Sequence, residues 1–307
     1  MYSFESVVGN DHIVNALQTA LMNGRVGHAL CVAGKPGTGR KLISYAFAKA
    51  LQCEDRRETH SCGACMSCTM LEAGTHPDVV RIRPEKKSIG VDTVRERVVA
   101  EMASRPYRSQ LKIFVVEEAS ALTIQAQNAM LKTLEEPCGY GLIMLIVERA
   151  DSLLPTVRSR CLTYSTRPVG APLIADYLVR NSGVMAEDAP KLALLARGSI
   201  GRAVQLAADD EFRVLSEYTA GLAESLTGYG IVETFSQTKE LERYKHRIAD
   251  VLDVLCAGYR DAFVERGTSP QPLLQKLAAI DKARERLRFN GNFQLVMDSL
   301  LLSLRES

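Results

Sequence analysis

Four short apolar runs, Ala29 to Ala33, Val79 to Ile82, Ile113 to Val116 and Leu142 to Val147, are separated by stretches whose apolar residues recur at helical spacing. Apolar runs of this length without polar alternation predict strands buried on both faces, and the helices between them predict crossover connections. Residues 1 to about 165 therefore read as a three-layer α/β domain with a parallel sheet. Thr123 is placed to cap a helix over Ile124 to Glu135, with Met130, Leu131 and Leu134 as its apolar stripe and Pro137 closing the segment. After Thr166-Arg167-Pro168 the strand-like runs stop, and Pro172 to Ala208 reads as two or three short helices broken near Gly183 and Gly198. Beyond Glu211 the pattern stays helical, with Ile248, Val251, Leu252 and Leu255 in one stripe and Met297, Leu300, Leu301 and Leu304 in another. The expected division is 1–166 for the α/β domain, 167–208 for a small helical domain and 209–307 for an all-helical domain.

Composition narrows the class. The 307 residues are 46% hydrophobic, enough for sizeable cores, and no run of about 18 apolar residues is present to span a membrane. The segment Met-Tyr-Ser-Phe-Glu at the start has neither the basic stretch nor the apolar core of a signal peptide, so a cytoplasmic protein without membrane contact is expected. With 38 basic and 36 acidic residues the formal net charge is +2, which gives no general attraction to nucleic acid and makes any DNA contact local.

Gly34-Lys-Pro-Gly-Thr-Gly39-Arg40-Lys41 has the G-x-x-x-x-G frame of a phosphate loop, but Arg40 stands where a lysine belongs and Lys41 where a Ser or Thr hydroxyl holds magnesium. The backbone cradle is kept; the side-chain chemistry is lost. Arg40 keeps the charge, yet its planar fork does not fit the space of a compact ammonium, and Lys41 cannot ligate a cation. Weak or silent ATP binding without hydrolysis is one reading, and a bare glycine-rich turn is the other. Downstream, Lys112 to Ser120 is a strand ending in Glu117 and Glu118, the layout of an acidic motif that holds magnesium. Glu117 replaces the usual Asp and displaces the carboxylate by one methylene; the alternative is a pair of solvated glutamates.

Cys53, Cys62, Cys65 and Cys68 lie in one loop, with two overlapping C-x-x-C steps. Closely spaced thiolates wrap a small soft cation, so a structural tetrahedral zinc site is expected; an iron–sulfur cluster and reduced thiols are the competing readings, with His60 and His76 as reserve ligands. Cys31, Cys138, Cys161 and Cys256 are scattered and read as core or incidental thiols.

The last signature is Leu153-Leu-Pro-Thr-Val-Arg-Ser-Arg160-Cys161. Alone, its Ser-Arg-Cys would read as a surface salt-bridge former. In order with the glycine loop, the cysteines, His76-Pro-Asp78 and Leu131-Lys-Thr-Leu-Glu-Glu-Pro137, it makes the chain resemble the clamp-loader subunits of bacterial DNA polymerase III, in the AAA+ superfamily. The resemblance runs in detail over residues 1 to 165, including Phe4 to Asn10, and in layout beyond them. It implies a P-loop NTPase-like α/β AAA+ domain with a zinc module near 53–68, a helical lid and a C-terminal collar domain that joins a ring.

Within that family the altered phosphate loop sets the chain apart from the tau/gamma ATPase subunits. So does Val147-Glu148-Arg149, where those subunits carry a γ-phosphate-sensing Thr or Asn, and so does Gly201 at the position aligned with their second sensor arginine, with Arg202 one step on. The resemblance implies a non-hydrolysing subunit that docks on tau/gamma, presents Arg160 in trans to the ATP bound there, works with delta and helps load the sliding clamp on primer-template DNA. An active ATPase and a stand-alone zinc-bearing DNA-binding module are the rival readings. Lys86 to Arg95, where a loop enters a helix, offers phosphate contacts or simply a solvated turn.

Overall fold

A computed structural model describes residues 2–85, 87–266 and 270–306. In chain order the α/β part runs α1 (Asp11–Met22), β1 (Ala29–Ala33), α2 (Arg40–Gln52), α3 (Met66–Ala73), β2 (Val79–Ile82), α4 (Val91–Val94), β3 (Lys112–Val116), α5 (Ile124–Glu135), β4 (Gly141–Val147), α6 (Pro155–Arg158) and β5 (Leu162–Ser165). All strand pairs are parallel and the sheet order is β2-β3-β4-β1-β5. Every residue of β1, β3 and β4 is buried, which is why these strands read as unbroken apolar runs.

Alternate residues of those strands feed two separate cores. Cys31, Phe114, Ile143 and Leu145 pack with Val94, Met130, Leu134 and Val157 on one side; Leu30, Ile113, Val115 and Met144 pack with Ile13, Leu17, Ile43 and Phe47 on the other. Phe114 is fully buried between strands and helices, and truncating it to alanine should cost about 3–5 kcal/mol. The edge strand β5, largely exposed, lies outside the apolar runs that mark the other four.

Helix α5 forms where the capping signal places it. Thr123 is extended, its hydroxyl accepts the Ala126 N–H at 3.2 Å, and Met130 and Leu134 are buried. Leu131 is only partly buried.

The chain clusters into two compact units, residues 1–177 with 197–201, and residues 178–196 with 202–307. The second is helical, with the end of α7 (Ala171–Ser182), α8 (Ala189–Leu195) and most of α9 (Ile200–Ala207) followed by α10 (Asp210–Ser225), α11 (Ile231–Glu242), α12 (Ile248–Arg266), α13 (Pro270–Arg288) and α14 (Phe293–Glu306). Its core contains Val251, Leu252 and Leu255 of α12 and Met297, Leu300, Leu301 and Leu304 of α14, with Ile248 packed at the margin. No described helix is long and apolar enough to cross a membrane.

Candidate nucleotide cleft, cysteine centre and interface arginine

Parallel pairing brings the carboxyl ends of β1, β3 and β4 together, where ligands of such sheets bind. The Gly34 N–H closes the junction by donating to the carbonyls of Val147 and Glu148 at 3.2 and 3.1 Å. Gly34 has φ 149° and presses against Thr166, while Gly39, at φ 91°, caps α2 in the left-handed region, so both glycines are required by backbone geometry. The loop is pinned from outside: the Thr38 hydroxyl lies 2.6 Å from that of Thr166, and the Asn10 side chain bonds the Thr38 carbonyl and both backbone groups of Arg167. A cavity of about 510 Å³ opens over this loop, lined among others by Val7, Gly37, Arg40, Lys41, Glu148 and Tyr177.

Lys41 and Glu117 pair with each other at the edge of the cleft. Lys41 Nζ lies 2.7 Å from Glu117 Oε2, and Glu117 Oε1 accepts the Tyr45 hydroxyl at 2.6 Å and Arg83 Nε at 3.0 Å. Glu117 is buried, with a side chain 2% exposed, so the reading of two solvated glutamates fails for it; Glu118, 63% exposed, fits that reading. Burial works against the Glu117 charge, but bonds from Lys41, Tyr45 and Arg83 outweigh it and hold the carboxyl below its usual range. Burial, with help from the Glu117 bond, pushes the Tyr45 hydroxyl up and keeps it a donor. Burial also lowers Arg40, against the pull of Glu148 and Glu118. The ammonium of Lys41 thus sits against the carboxylate that would face a divalent cation in a working site.

Cys53, Cys62, Cys65 and Cys68 bring their Sγ atoms within 4.8 Å of one another, the one such cluster of possible metal ligands among the described residues. Metal–sulfur bonds near 2.3 Å in a tetrahedron require sulfurs about 3.8 Å apart, and Cys53 and Cys65 stand at 4.0 Å. Backbone N–H groups of Cys62, Cys65 and Cys68 donate to the sulfurs of Cys53, Cys62 and Cys65 at 3.2, 3.3 and 3.4 Å, which favours thiolates. Backbone donors from Cys65 and Ala64 draw the Cys62 thiol down to about 6, while burial pushes Cys53 and Cys68 up. Four thiols that are free of disulfides and so arranged fit a metal ion. The reserve ligands lie outside this cluster: His76 Nδ1 accepts the Asp78 N–H at 3.1 Å, and His60 faces Thr59 and Glu5. Cys31 and Cys161, pushed up to about 11 and about 12 by burial, are core thiols, as is Cys256.

Arg160 follows α6. Its Nη2 lies 2.7 Å from Glu135 at the end of α5, and its Nη1 donates to the Thr156 carbonyl at 2.9 Å. It is one-third exposed.

The family described as "DNA polymerase III, delta subunit" matches residues 9–169, more than half of the chain and the whole of this sheet. The chain belongs to the DNA polymerase III delta' family. The delta' subunit of Escherichia coli strain K12 is 36% identical over 206 residues, which is 66% of this chain and 61% of that protein. The Bacillus subtilis delta' subunit is 26% identical over 318 residues, covering 96% and 95% of the two chains. Among solved structures, the RuvB Holliday junction branch migration motor of Thermotoga maritima shares the fold, with a TM-score of 0.50 at 14% identity over 74% of this chain and 78% of that one. The architecture is AAA+, and the family is one of clamp-loader subunits of DNA polymerase III.

In this delta' family member the structure brings Gly34, Gly39, Arg40, Lys41 and Glu118 to one cleft, with Glu117 tied to Lys41 at its edge. The cysteines and Arg160 make separate groups. Arg202, near the second sensor position, pairs with Asp250 at 3.0 Å and Asp253 at 2.8 Å in the helical unit. Of the Lys86 to Arg95 stretch, Lys86 lies outside the described residues, while Lys87 and Arg95 are exposed. Tyr45 and Arg83 were not singled out by the sequence pattern. The available signal was Tyr45 one turn after Lys41 on α2, on the same face, where its hydroxyl can reach the carboxylate that pairs with the lysine.

Proposed function

We propose that this chain is a clamp-loader subunit that does not hydrolyse ATP and instead supplies Arg160 to the ATP site of a neighbouring tau/gamma subunit. The observation that carries the first half is the Lys41–Glu117 ion pair at 2.7 Å. Hydrolysis in P-loop enzymes needs a lysine on the β and γ phosphates, a hydroxyl on magnesium and a free carboxylate beside the metal. Here the carboxylate is neutralised from within and the hydroxyl is replaced by an ammonium, so a magnesium ion would meet a positive charge.

The second half rests on Arg160, whose guanidinium lies at the surface between α6 and β5, and on the family resemblance of Ser159-Arg160-Cys161. Facing a γ-phosphate, it would offset the negative charge that grows during transfer. In this reading 167–208 acts as the lid and 209–307 as the collar domain that joins a ring with tau/gamma and delta, and the assembled ring opens the sliding clamp and seats it on primer-template DNA. Zinc held by Cys53, Cys62, Cys65 and Cys68 would be structural, since four protein thiolates leave no coordination position for substrate. The test is ATP hydrolysis by the purified subunit and by the reconstituted loader with and without Arg160. Magnesium-dependent turnover by the lone subunit, or a loader indifferent to Arg160→Ala, defeats the corresponding half.

A further inference from the structure

Helix α5 ends in two carboxylates, Glu135 and Glu136, at the end where its carbonyls lack helical partners and its dipole is negative. Acidic residues there oppose the dipole, and such a local conflict is retained where another group answers it. Arg160 answers it. Its Nη2 meets Glu135 Oε1 at 2.7 Å, while its Nη1 donates to the Thr156 carbonyl at 2.9 Å and the Ser159 hydroxyl at 3.3 Å. The supporting elements are locked together: the Leu154 N–H donates to Gln127 Oε1 at 2.7 Å, Gln127 Nε2 donates to the Leu122 carbonyl at 3.2 Å, and Val157 is buried with Met130 and Leu134. Glu135 therefore presents its carboxylate from a fixed helix end to a fixed turn. A long, rotamer-rich side chain is held in one direction by three acceptors, with its Nε–H and second Nη2 N–H left without a partner among the described residues.

We propose that Glu135 is a positioning residue for Arg160: it fixes the direction in which the guanidinium faces a phosphate of the neighbouring subunit. The proposal rests on the reading of Arg160 as a finger in trans. A phosphate has to meet the fork at the right angle, and an unrestrained arginine spends most of its time elsewhere. Because the pair is partly exposed, the hold is modest and the guanidinium can still shift to meet its target.

The test uses complete loaders reconstituted with E135A, E135Q, E135K, R160A and E135A/R160A, measuring kcat and KM for ATP with clamp and primed DNA present. Metal content and co-elution with the other subunits report folding. E135A should lower kcat by about two- to fivefold, the span of a partly exposed pair, with KM unchanged. E135Q, which keeps an acceptor oxygen at the same reach, should retain most of the rate. E135K, a second surface variant that repels the guanidinium, should cost more than E135A. The decisive result is the cycle: E135A/R160A should be no slower than R160A alone. If E135A and E135K leave kcat unchanged, or if the E135A loss multiplies with that of R160A, Glu135 does not act through Arg160 and the proposal falls while the finger stands. If R160A itself turns over like wild type, the finger reading falls and takes this proposal with it.

Discussion

Lys41 and Glu117 come from different elements, the first turn of α2 and the end of β3, and meet at 2.7 Å. The contact joins to each other the two positions that hold magnesium in a working P-loop site. A lysine at the hydroxyl position would by itself weaken a cation site; paired with the acidic motif, it removes the carboxylate as well.

The purified protein should therefore release phosphate from ATP at the background rate, with the same result in magnesium and in EDTA. Arg40→Lys with Lys41→Thr removes the ammonium from Glu117, leaving Tyr45 and Arg83 on its other oxygen, and restores a phosphate lysine and a hydroxyl, so nucleotide binding should strengthen and become magnesium-dependent before any turnover appears. A titration with a fluorescent ATP analogue reads this. Equal affinity in the double variant and wild type, with or without magnesium, would show that the ion pair is not what keeps the metal out.

The same cluster sets a pH dependence. Burial disfavours the Glu117 carboxylate, but Lys41, Tyr45 and Arg83 lower its folded pKa below the unfolded value, which lies near 4.3. Its contribution is then fully present above about pH 4.3 and is lost as pH falls through the folded value. At neutral pH Glu117→Gln should unfold at lower denaturant than wild type, by about 1–3 kcal/mol for a weakened buried charge network. As pH falls through the folded value the gap should narrow, because wild type protonates and comes to resemble the amide. A gap that stays constant across that range would assign the loss to packing rather than charge.

How much of this was legible in the sequence depended on whether the signal was local. The buried strands, the Thr123 cap of α5 and the close spacing of Cys62, Cys65 and Cys68 are written in short stretches, and local backbone geometry carries them out. Strand β5 was not visible, since its four residues sit at the sheet edge, mostly exposed, and carry no buried run. The Glu117 cluster was invisible for a different reason: the parallel register of β2 with β3 brings Arg83, and the packing of α2 on the sheet brings Tyr45, to one carboxylate. The Glu135–Arg160 pair likewise joins two motifs that the chain keeps 25 positions apart, each legible alone and silent about the other.

The cysteine centre should carry one zinc per chain. Cys62→Ser with Cys65→Ser removes two of four thiolates, and zinc should be lost, leaving residues 53–68 open to proteolysis while the sheet stays folded on its own two cores. Elemental analysis with limited proteolysis measures both. Iron in place of zinc, or full zinc occupancy in the double variant, would overturn the assignment.

Arg160 gives the prediction that bears most directly on function. A finger in trans can be worth ~10³ to 10⁵ in rate at the site it serves, or roughly 4 to 7 kcal/mol of barrier. Arg160→Ala removes the guanidinium together with its surface bond to Glu135, and an exposed pair of this kind contributes at most about 1 kcal/mol to stability. The variant should fold, keep its metal and enter the complex, yet the loader's clamp- and DNA-stimulated hydrolysis should fall, in part if the other ATP sites of the ring work independently. Arg160→Lys should recover little, since a point-like ammonium can restore the Glu135 contact but not the planar fork that grips a phosphate from two sides. That asymmetry separates a phosphate-facing role from a structural one: if the lysine variant restores wild-type hydrolysis, Arg160 serves only as a charge partner for Glu135.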